Sequence, residues 1–379
     1  MFPLLKMEED QIYLLALALT KGLGPVTIKN LVAYCGSAKA VFASPASRLG
    51  RTPGVGEATI SLIAKGQNLH RAQAEFKFAH EAGVKVLSYL DPAYPTPLKY
   101  IHNAPIFLFQ KGNLDFNAQA NVAIVGTRRA SAYGKDMAKR CAKRLSKEGI
   151  NVVSGLAYGI DIAAHKSVLD ENGKTTAVLA HGLDMIYPPN HASKAEAMLD
   201  KGAWLTEYLT HSDPDAMHFP ARNRIIAGIC QVVIVIEASA KGGALITAEF
   251  AQQQNREVYA VPGRIGDPYS IGCNRLIRDH GAKLMLDPQE VIDDLALQWH
   301  NPILDAQPEQ LQLSLQAPEI PLNDEEAKVL NILQRGKANI DALSLNTGIP
   351  TGQLNSLLLS MEFKDLVRQL PGKMFEGRF

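Results

Sequence analysis

Three segments of the chain combine glycine with basic or aromatic residues in a pattern that suits anion binding. They read GTRRASAYG from Gly126, FPARNRIIAG from Phe219 and KGGALITAEF from Lys241. Glycine lets the backbone turn sharply and approach a ligand closely, and a helix that starts after the turn presents free N–H groups to negative charge. Arginine binds phosphate oxygens through paired hydrogen bonds. The three segments therefore predict contacts with phosphate groups.

The first segment follows a predicted strand and precedes a predicted helix that starts near Lys135. Gly126 and Thr127 form the turn, and Arg128 and Arg129 bring two guanidinium groups to it. The segment matches neither the G-x-G-x-x-G dinucleotide fingerprint nor the Gly-Lys-Ser/Thr of a P-loop. We therefore predict a phosphate site of another kind.

A similar turn, SGLAYGIDIAAH, follows the next predicted strand and includes Ser154 and Gly155. Asp161 near the start of the following helix has two interpretations that the residues alone do not separate. It is a ligand contact, or it stabilises the helix dipole. His165 is interpreted as a packed side chain.

The segment from Phe219 places an aromatic ring beside cations. Phe219 offers a face for a stacked base, while Arg222, Asn223 and Arg224 offer groups for the backbone of a single strand. The alternative is that Phe219 belongs to the core and that the arginines pair with carboxylates such as Glu237. Because duplex DNA exposes no base face for stacking, the pattern favours a single strand.

The third turn is formed by Lys241, Gly242 and Gly243 after the predicted strand VVIVIE. In open α/β sheets, ligands bind where loops leave the carboxyl ends of the strands. Three such turns, each following a predicted strand, therefore predict a single binding site at this edge of the sheet.

A predicted helix over 135–147 carries its basic residues on one side, opposite an apolar side. A solvated face is the ordinary interpretation of such a helix, and a patch that steers polyanions is the alternative. The basic residues considered are Lys139, Arg140, Lys143, Arg144 and Lys147.

The elements that must position these residues alternate short apolar strands with helices from about residue 84 to 299. This pattern predicts an α/β fold with a Rossmann-like, doubly wound parallel sheet over 81–299. Residues 1–80 are predicted to form a small all-helical domain of helix-hairpin-helix or SAM-like type. Its two Gly-x-Gly turns, in GLGPVTIKNLV and GVGEATISLIA, fit either anion binding or a plain helical connection.

The carboxyl-terminal part is predicted to contain a Gln- and Pro-rich linker over 300–321 and a winged helix over 322–379. Asn323 or Asp324 is expected to cap the first helix of that domain. The helix in the recognition position, TGQLNSLLLSMEF, contains no Lys or Arg. We therefore expect a structural or protein-contact role for it and no reading of duplex DNA.

Composition sets the outer limits of the prediction. Thirty-nine basic and thirty-eight acidic side chains give a net charge of +1, so a nucleic-acid site must be a local concentration of charge. The four cysteines form no C-x-x-C pair and predict reduced thiols. Neither a membrane span nor metal-ligand spacing is visible, so we expect a cytoplasmic protein with no metal or cofactor and no membrane partner.

Taken together, the motifs GTRRASAYG, SGLAYGID, HGLDMIYP, FPARNRIIAG, KGGALITAEFA and AVPG resemble those of the DNA-processing protein A family, DprA or Smf. The resemblance implies a homodimer that is not an enzyme, binds single-stranded DNA and loads the recombinase RecA onto it during natural transformation. It places the DNA-binding pocket on Gly126, Thr127, Arg128, Arg129, Phe219, Arg222, Asn223, Arg224 and Lys241.

The main alternative is a nucleotide-processing hydrolase of the phosphoribohydrolase-like Rossmann group. The run KGGALITAE loosely resembles the glycine-rich loop of those enzymes and its following glutamate. Glu249 lacks an obvious partner acid or base in the sequence, so no catalytic set is predicted.

Overall fold

The structure, a computed structural model, describes residues 2–65, 68–299, 323–334, 336–364, 366–370 and 374–377. The chain divides into two compact units, Met1–Asn301 and Pro302–Phe379. The predicted linker over 300–321 lies outside the described residues.

The first unit opens with helices, and two of them start at the Gly-x-Gly turns found in the sequence. Gly22 and Gly54 have φ values of +88° and +79°, a region where other residues are strained. Gly24 and Gly56 then precede the first turns of α2 and α5. The described helices of this part are α1 (Phe2–Ala18), α2 (Pro25–Cys35), α3 (Ala38–Ala43), α4 (Ala46–Leu49), α5 (Glu57–Ala64) and α6 (Leu69–Glu81).

A mixed sheet forms the centre of this unit and confirms the predicted doubly wound architecture. Among the described residues its order is β1-β2-β6-β5-β4-β3-β7-β8-β9. Pairing is parallel from β6 to β9, and β1 and β2 add an antiparallel edge. The strands are β1 (Val84–Ser88), β2 (Phe107–Gly112), β3 (Asn121–Val125), β4 (Asn151–Ser154), β5 (Thr175–Val178), β6 (Ala203–Thr206), β7 (Val232–Val235), β8 (Glu257–Ala260) and β9 (Lys283–Leu284).

Helices connect the strands and cover both faces of the sheet. Each parallel strand is followed by a helix, as expected for parallel strands that are joined by helical crossover connections. The helices are α7 (Thr96–Lys99), α8 (Ala132–Lys147), α9 (Ile160–Asp170), α10 (Ala192–Met198), α11 (His218–Ile229), α12 (Gly243–Gln253), α13 (Ile271–Asp279) and α14 (Pro288–Trp299).

Alternate residues of the central strands enter two different cores. In β3, Val122 and Ile124 pack with α8, α9 and α14, whereas Ala123 and Val125 pack with α11, α12 and α13. All four side chains are nearly or fully buried. Burial on both faces explains why β3 and β7 are continuous apolar runs without polar alternation.

A third core joins the amino-terminal helices to the antiparallel end of the sheet. Phe107 of β2 and Trp204 of β6 belong to the same buried cluster as Leu14, Leu17 and Leu31 of the helices. The finer division of this unit at residue 80 stays a prediction.

The second unit has the helices and the three-stranded sheet of a winged helix. Asn323 caps its first helix through the Glu326 N–H, and Glu326 accepts a hydrogen bond from the Asn323 N–H in return. The elements are α15 (Asp324–Leu333), β10 (Ala338–Asn339), α16 (Ile340–Thr347), α17 (Thr351–Phe363), β11 (Val367–Leu370) and β12 (Met374–Gly377).

The four cysteines are free and buried, in agreement with a packing role. Within the described ranges no helix combines the length and apolar character needed to cross a membrane.

Candidate nucleic-acid interface

The sheet reverses its chain order at β3, which pairs with β4 on one side and with β7 on the other. The loops that follow β3 and β7 leave the same edge of the sheet, where a crevice forms at such a switch point. A pocket of about 380 Å³ opens there between these two loops and α11. The topology therefore brings segments that are far apart in sequence to one site.

The loop after β3 is held close to the start of α9. A Cβ on Gly126 would overlap the Ile160 side chain, and a Cβ on Gly159 would overlap the Thr127 carbonyl oxygen. Gly159 also has a φ of +82°, so both its conformation and its surroundings require glycine. This packing fixes the loop and leaves the following residue, Arg128, exposed.

Arg128 lies over the ring of Phe219, the aromatic residue that was predicted to stack with a base. Its guanidinium carbon lies 4.9 Å from the centroid of the Phe219 ring. The Tyr187 ring lies 6.1 Å from the same Phe219 ring at a tilt of 48°. Phe219 is half-buried and is contacted by both Tyr187 and Arg128, so the ring holds the cation of Arg128 at the pocket.

Arg222 lies in the same pocket but is buried, with an exposed fraction of 4%. Its guanidinium donates hydrogen bonds to the Gly155 carbonyl at 3.0 Å and to the Val178 carbonyl. Burial lowers the pKa of Arg222 to about 10, and the nearby Asp161 carboxylate counteracts this shift. Because this value is far above neutral pH, Arg222 remains charged and ties the ends of β4 and β5 together.

Three glycine turns were predicted to bind anions, and two of them, the turns before α8 and before α9, already hold a carboxylate of the protein. At the start of α8, Glu237 accepts hydrogen bonds from the Ser131 N–H at 2.9 Å and the Ser131 hydroxyl at 2.5 Å. At the start of α9, Asp161 accepts from the N–H groups of Gly155 at 3.1 Å and Ala157 at 3.3 Å. Burial raises the pKa of Asp161, whereas Arg222 and these hydrogen bonds oppose the rise. Asp161 therefore holds the loop after β4 through these hydrogen bonds, and it also belongs to the lining of the pocket.

The third glycine turn, before α12, is open. Gly242 occupies the cap position without a side-chain hydrogen bond, and a Cβ on Gly243 would meet no atom within 4 Å. The first N–H groups of a helix have no partner within the helix, so this end of α12 keeps the partial positive charge of its dipole. Asn223 donates to the Gly243 carbonyl at 3.4 Å and connects this turn to α11.

The structure brings together eight of the predicted site residues around the pocket. They are Gly126, Thr127, Arg128, Phe219, Arg222, Asn223, Gly242 and Gly243. Arg129 and Lys241 are exposed on the adjoining loops and do not belong to the pocket lining.

Three predicted residues have other surroundings. The Ser154 hydroxyl is buried and donates to the Ile124 carbonyl at 2.6 Å, and Gly155 is buried behind Arg222. Arg224 forms an ion pair with Glu207 on the other side of α11. The carboxylate partner predicted as an alternative for Arg224 exists, but it is Glu207 and not Glu237.

Several residues that line the pocket were not predicted from the sequence. Thr247 lies one helical turn after Gly243 on the same side of α12, and Ala216 precedes Phe219. The spacing of four residues from Gly243 is the signal that could have identified Thr247. Glu249, by contrast, is exposed and does not line this pocket.

Comparisons with known proteins identify the relatives of this chain. Residues 85–296 match the family described as DNA recombination-mediator protein A, and residues 314–373 match the DprA winged helix domain. Protein Smf from Synechocystis sp. is 34% identical over 404 residues, which cover 98% of this chain and 100% of that protein. DNA processing protein DprA from Streptococcus pneumoniae is 45% identical over 205 residues, covering 54% of this chain and 72% of that protein.

Solved structures of two relatives have the same fold. DNA processing protein A from Streptococcus pneumoniae aligns with a TM-score of 0.66 at 36% identity, over 74% of this chain and 97% of that one. A structure that describes the single-stranded DNA binding mode of DNA processing protein A from Helicobacter pylori aligns with a TM-score of 0.52 at 29% identity, over 57% of this chain and 97% of that one. Because two domains match models of this family and a relative is matched over its full length, the chain belongs to the DNA recombination-mediator protein A family, DprA/Smf.

Proposed function

We propose that this protein binds single-stranded DNA in the pocket between the loop after β3, α11 and the start of α12. The observation that carries the proposal is the Arg128 guanidinium stacked on Phe219 in a pocket also lined by the open end of α12. The Helicobacter pylori relative, whose structure describes a single-stranded DNA binding mode, supports it.

The two kinds of group at the pocket suit the two parts of a nucleotide. The N–H groups at the start of α12 and the charge of Arg128 bind a phosphate. The outer face of the guanidinium, supported by Phe219, stacks with a base. A duplex has no unstacked base to offer, so the pocket selects a single strand.

The wider role proposed here is that of a recombination mediator in the cytoplasm. The protein acts as a homodimer, binds single-stranded DNA that enters the cell and loads the RecA recombinase onto it during natural transformation. Membership of the DNA recombination-mediator protein A family supports this role. The proposal includes no enzymatic activity, because Glu249 lies apart from the pocket that holds Arg128 and Phe219.

The test is oligonucleotide binding followed by fluorescence anisotropy over a range of salt concentrations. We expect a single strand to bind more tightly than the duplex of the same sequence, with a log–log slope of about −0.7 per neutralised phosphate. Arg128→Ala removes one exposed cation, so the slope should flatten by about 0.7 and binding should weaken by about 1.5–3 kcal/mol.

Arg129→Ala is the matched control, since Arg129 is the neighbouring exposed arginine outside the pocket lining. It should have a smaller effect than Arg128→Ala. Equal affinity of wild type for single strand and duplex, or full affinity of the Arg128→Ala protein, would contradict the proposal. A release of free base from a nucleoside monophosphate would point instead to the hydrolase.

A further inference from the structure

Helix α8 carries a lysine at every fourth position along one line of its surface. The four residues, Lys135, Lys139, Lys143 and Lys147, are all exposed and are called here the lysine row. Residues four apart are neighbours on a helix, and the row extends over about 18 Å at a rise of 1.5 Å per residue. It is a continuous strip of positive charge.

The adjacent line of the same helix is different. It reads Asp136, Arg140, Arg144 and Glu148, so it contains both signs, and Arg144 forms an ion pair with Glu148. Like charges four residues apart weaken a helix, whereas opposite charges stabilise it. Only one of the two lines therefore has the charge balance expected of a plain solvated face.

The lysine row is poorly neutralised by the rest of the protein. Lys143 forms an ion pair with Glu171 at 2.6 Å, and no ion pair involves Lys135, Lys139 or Lys147 in the part of the chain that the structure describes. A hydrogen bond from Lys143, and then the charges of Lys143, Lys147 and Lys139, hold the pKa of Glu171 below its usual value. The single carboxylate of Glu171 thus interacts with the ammonium groups of three lysines of the row.

The row starts seven residues after Arg128 in the chain. Ser131 caps α8 three residues after Arg128, and Lys135 lies in the first turns of the helix. Because α8 connects the carboxyl end of β3 to the start of β4, it leads away from the edge that holds the pocket. Of the four lysines, Lys135 is therefore the one nearest in sequence to Arg129, and Lys147 is the farthest from the carboxyl end of β3 along the helix.

We propose that the lysine row is a second contact surface for the same single strand and binds the phosphates that follow the nucleotides in the pocket. This inference rests on the proposed function of the pocket. The charge of the row is complementary to a phosphodiester backbone, and the row contains no aromatic side chain, so it contributes affinity without base preference.

The experiment compares two lengths of homothymidine oligonucleotide, one just long enough to fill the pocket and one several times longer. The variant Lys135→Gln/Lys139→Gln/Lys147→Gln removes three charges, keeps residues of good helix propensity and leaves the Lys143 ion pair in place. We expect unchanged binding of the short oligonucleotide. For the long one, affinity should fall and the salt slope should flatten by about 2, at roughly 0.7 for each lysine.

A matched variant, Lys21→Gln/Lys65→Gln/Lys85→Gln, removes three exposed lysines that form no ion pair within the described residues, two from turns of the amino-terminal helical part and one from the edge strand β1. Thermal unfolding should show the α8 variant at least as stable as wild type, because repulsion within the helix is relieved. Wild-type binding of the long oligonucleotide by the α8 variant, or an equal loss in the matched variant, overturns the inference while the pocket stands. Failure of wild type to bind the short oligonucleotide overturns both the proposed function of the pocket and the proposed role of the lysine row.

Discussion

Arg128 and Arg222 line the same pocket, yet their environments are opposite. Arg128 is exposed and contacts the face of Phe219, whereas Arg222 is 4% exposed and donates to the carbonyls of Gly155 and Val178. An exposed guanidinium with free donors is available to a ligand. A buried one that already donates to the backbone holds the loops in place.

The same contrast separates the glycine turns. The start of α8 and the loop before α9 receive the carboxylates of Glu237 and Asp161, while the start of α12 receives none from the described residues. A repeated sequence pattern has thus been used twice for the fold and once in a way that leaves a site open. Availability, and not residue type, distinguishes the candidate contacts.

The largest expected effect tests the buried side of this comparison. Arg222→Leu leaves the Asp161 carboxylate buried without its cation and leaves two carbonyls without their donor, so we expect a loss of about 3–5 kcal/mol in the free energy of unfolding. Urea unfolding measures it. Arg128→Ala is the control and should change stability by no more than about 0.5 kcal/mol. Equal losses in both variants would remove the distinction between the two arginines.

The next effect tests the exposed side. Phe219→Ala removes the ring beneath Arg128, and binding of a single strand should weaken by about 1–3 kcal/mol without a change of salt slope, because no charge is lost. Phe219→Tyr keeps the ring and serves as control. Since the two side chains are in contact, the Arg128→Ala/Phe219→Ala protein should lose less than the sum of the single losses. Strict additivity would show that ring and cation act separately.

A third effect, measured as the change of stability with pH, concerns the charge balance around Arg222. His165 is fully buried, and burial, with smaller contributions from His191 and Arg222, lowers its pKa to about 3. Because the unfolded-state pKa is about 6.5, the unfolded chain binds a proton first as the pH falls. The neutral His165 therefore contributes stability above about pH 6.5, which is lost progressively toward pH 3 at up to about 1.4 kcal/mol per pH unit.

His165→Gln removes this titration, and urea unfolding between neutral and acidic pH compares the two proteins. Wild type should lose more stability on acidification than the variant does. Parallel pH profiles would mean that His165 takes up a proton in the fold as readily as in the unfolded chain, although its buried Nε2 has no hydrogen-bond partner among the described residues.

A helical interpretation of FPARNRIIAG separates some of these roles without the structure. Phe219, Arg222, Asn223 and Ile226 recur at the spacing of one helix face, and all four line the pocket. Arg224 falls on another side, where it pairs with Glu207. Without this helical period, proximity in the sequence alone groups Arg224 with Arg222 and Asn223.

Local sequence determined the strands, the glycine turns, the cap of α15 and the basic helix α8, because these depend on periodicity and on backbone freedom within a few residues. The occupants of the helix ends could not be read in that way. Ser131 and Glu237 lie 106 positions apart, and Arg222 lies 67 positions from Gly155. Only the tertiary structure, by ordering β3 between β4 and β7, decided which glycine turns receive a carboxylate of the protein and which one stays open.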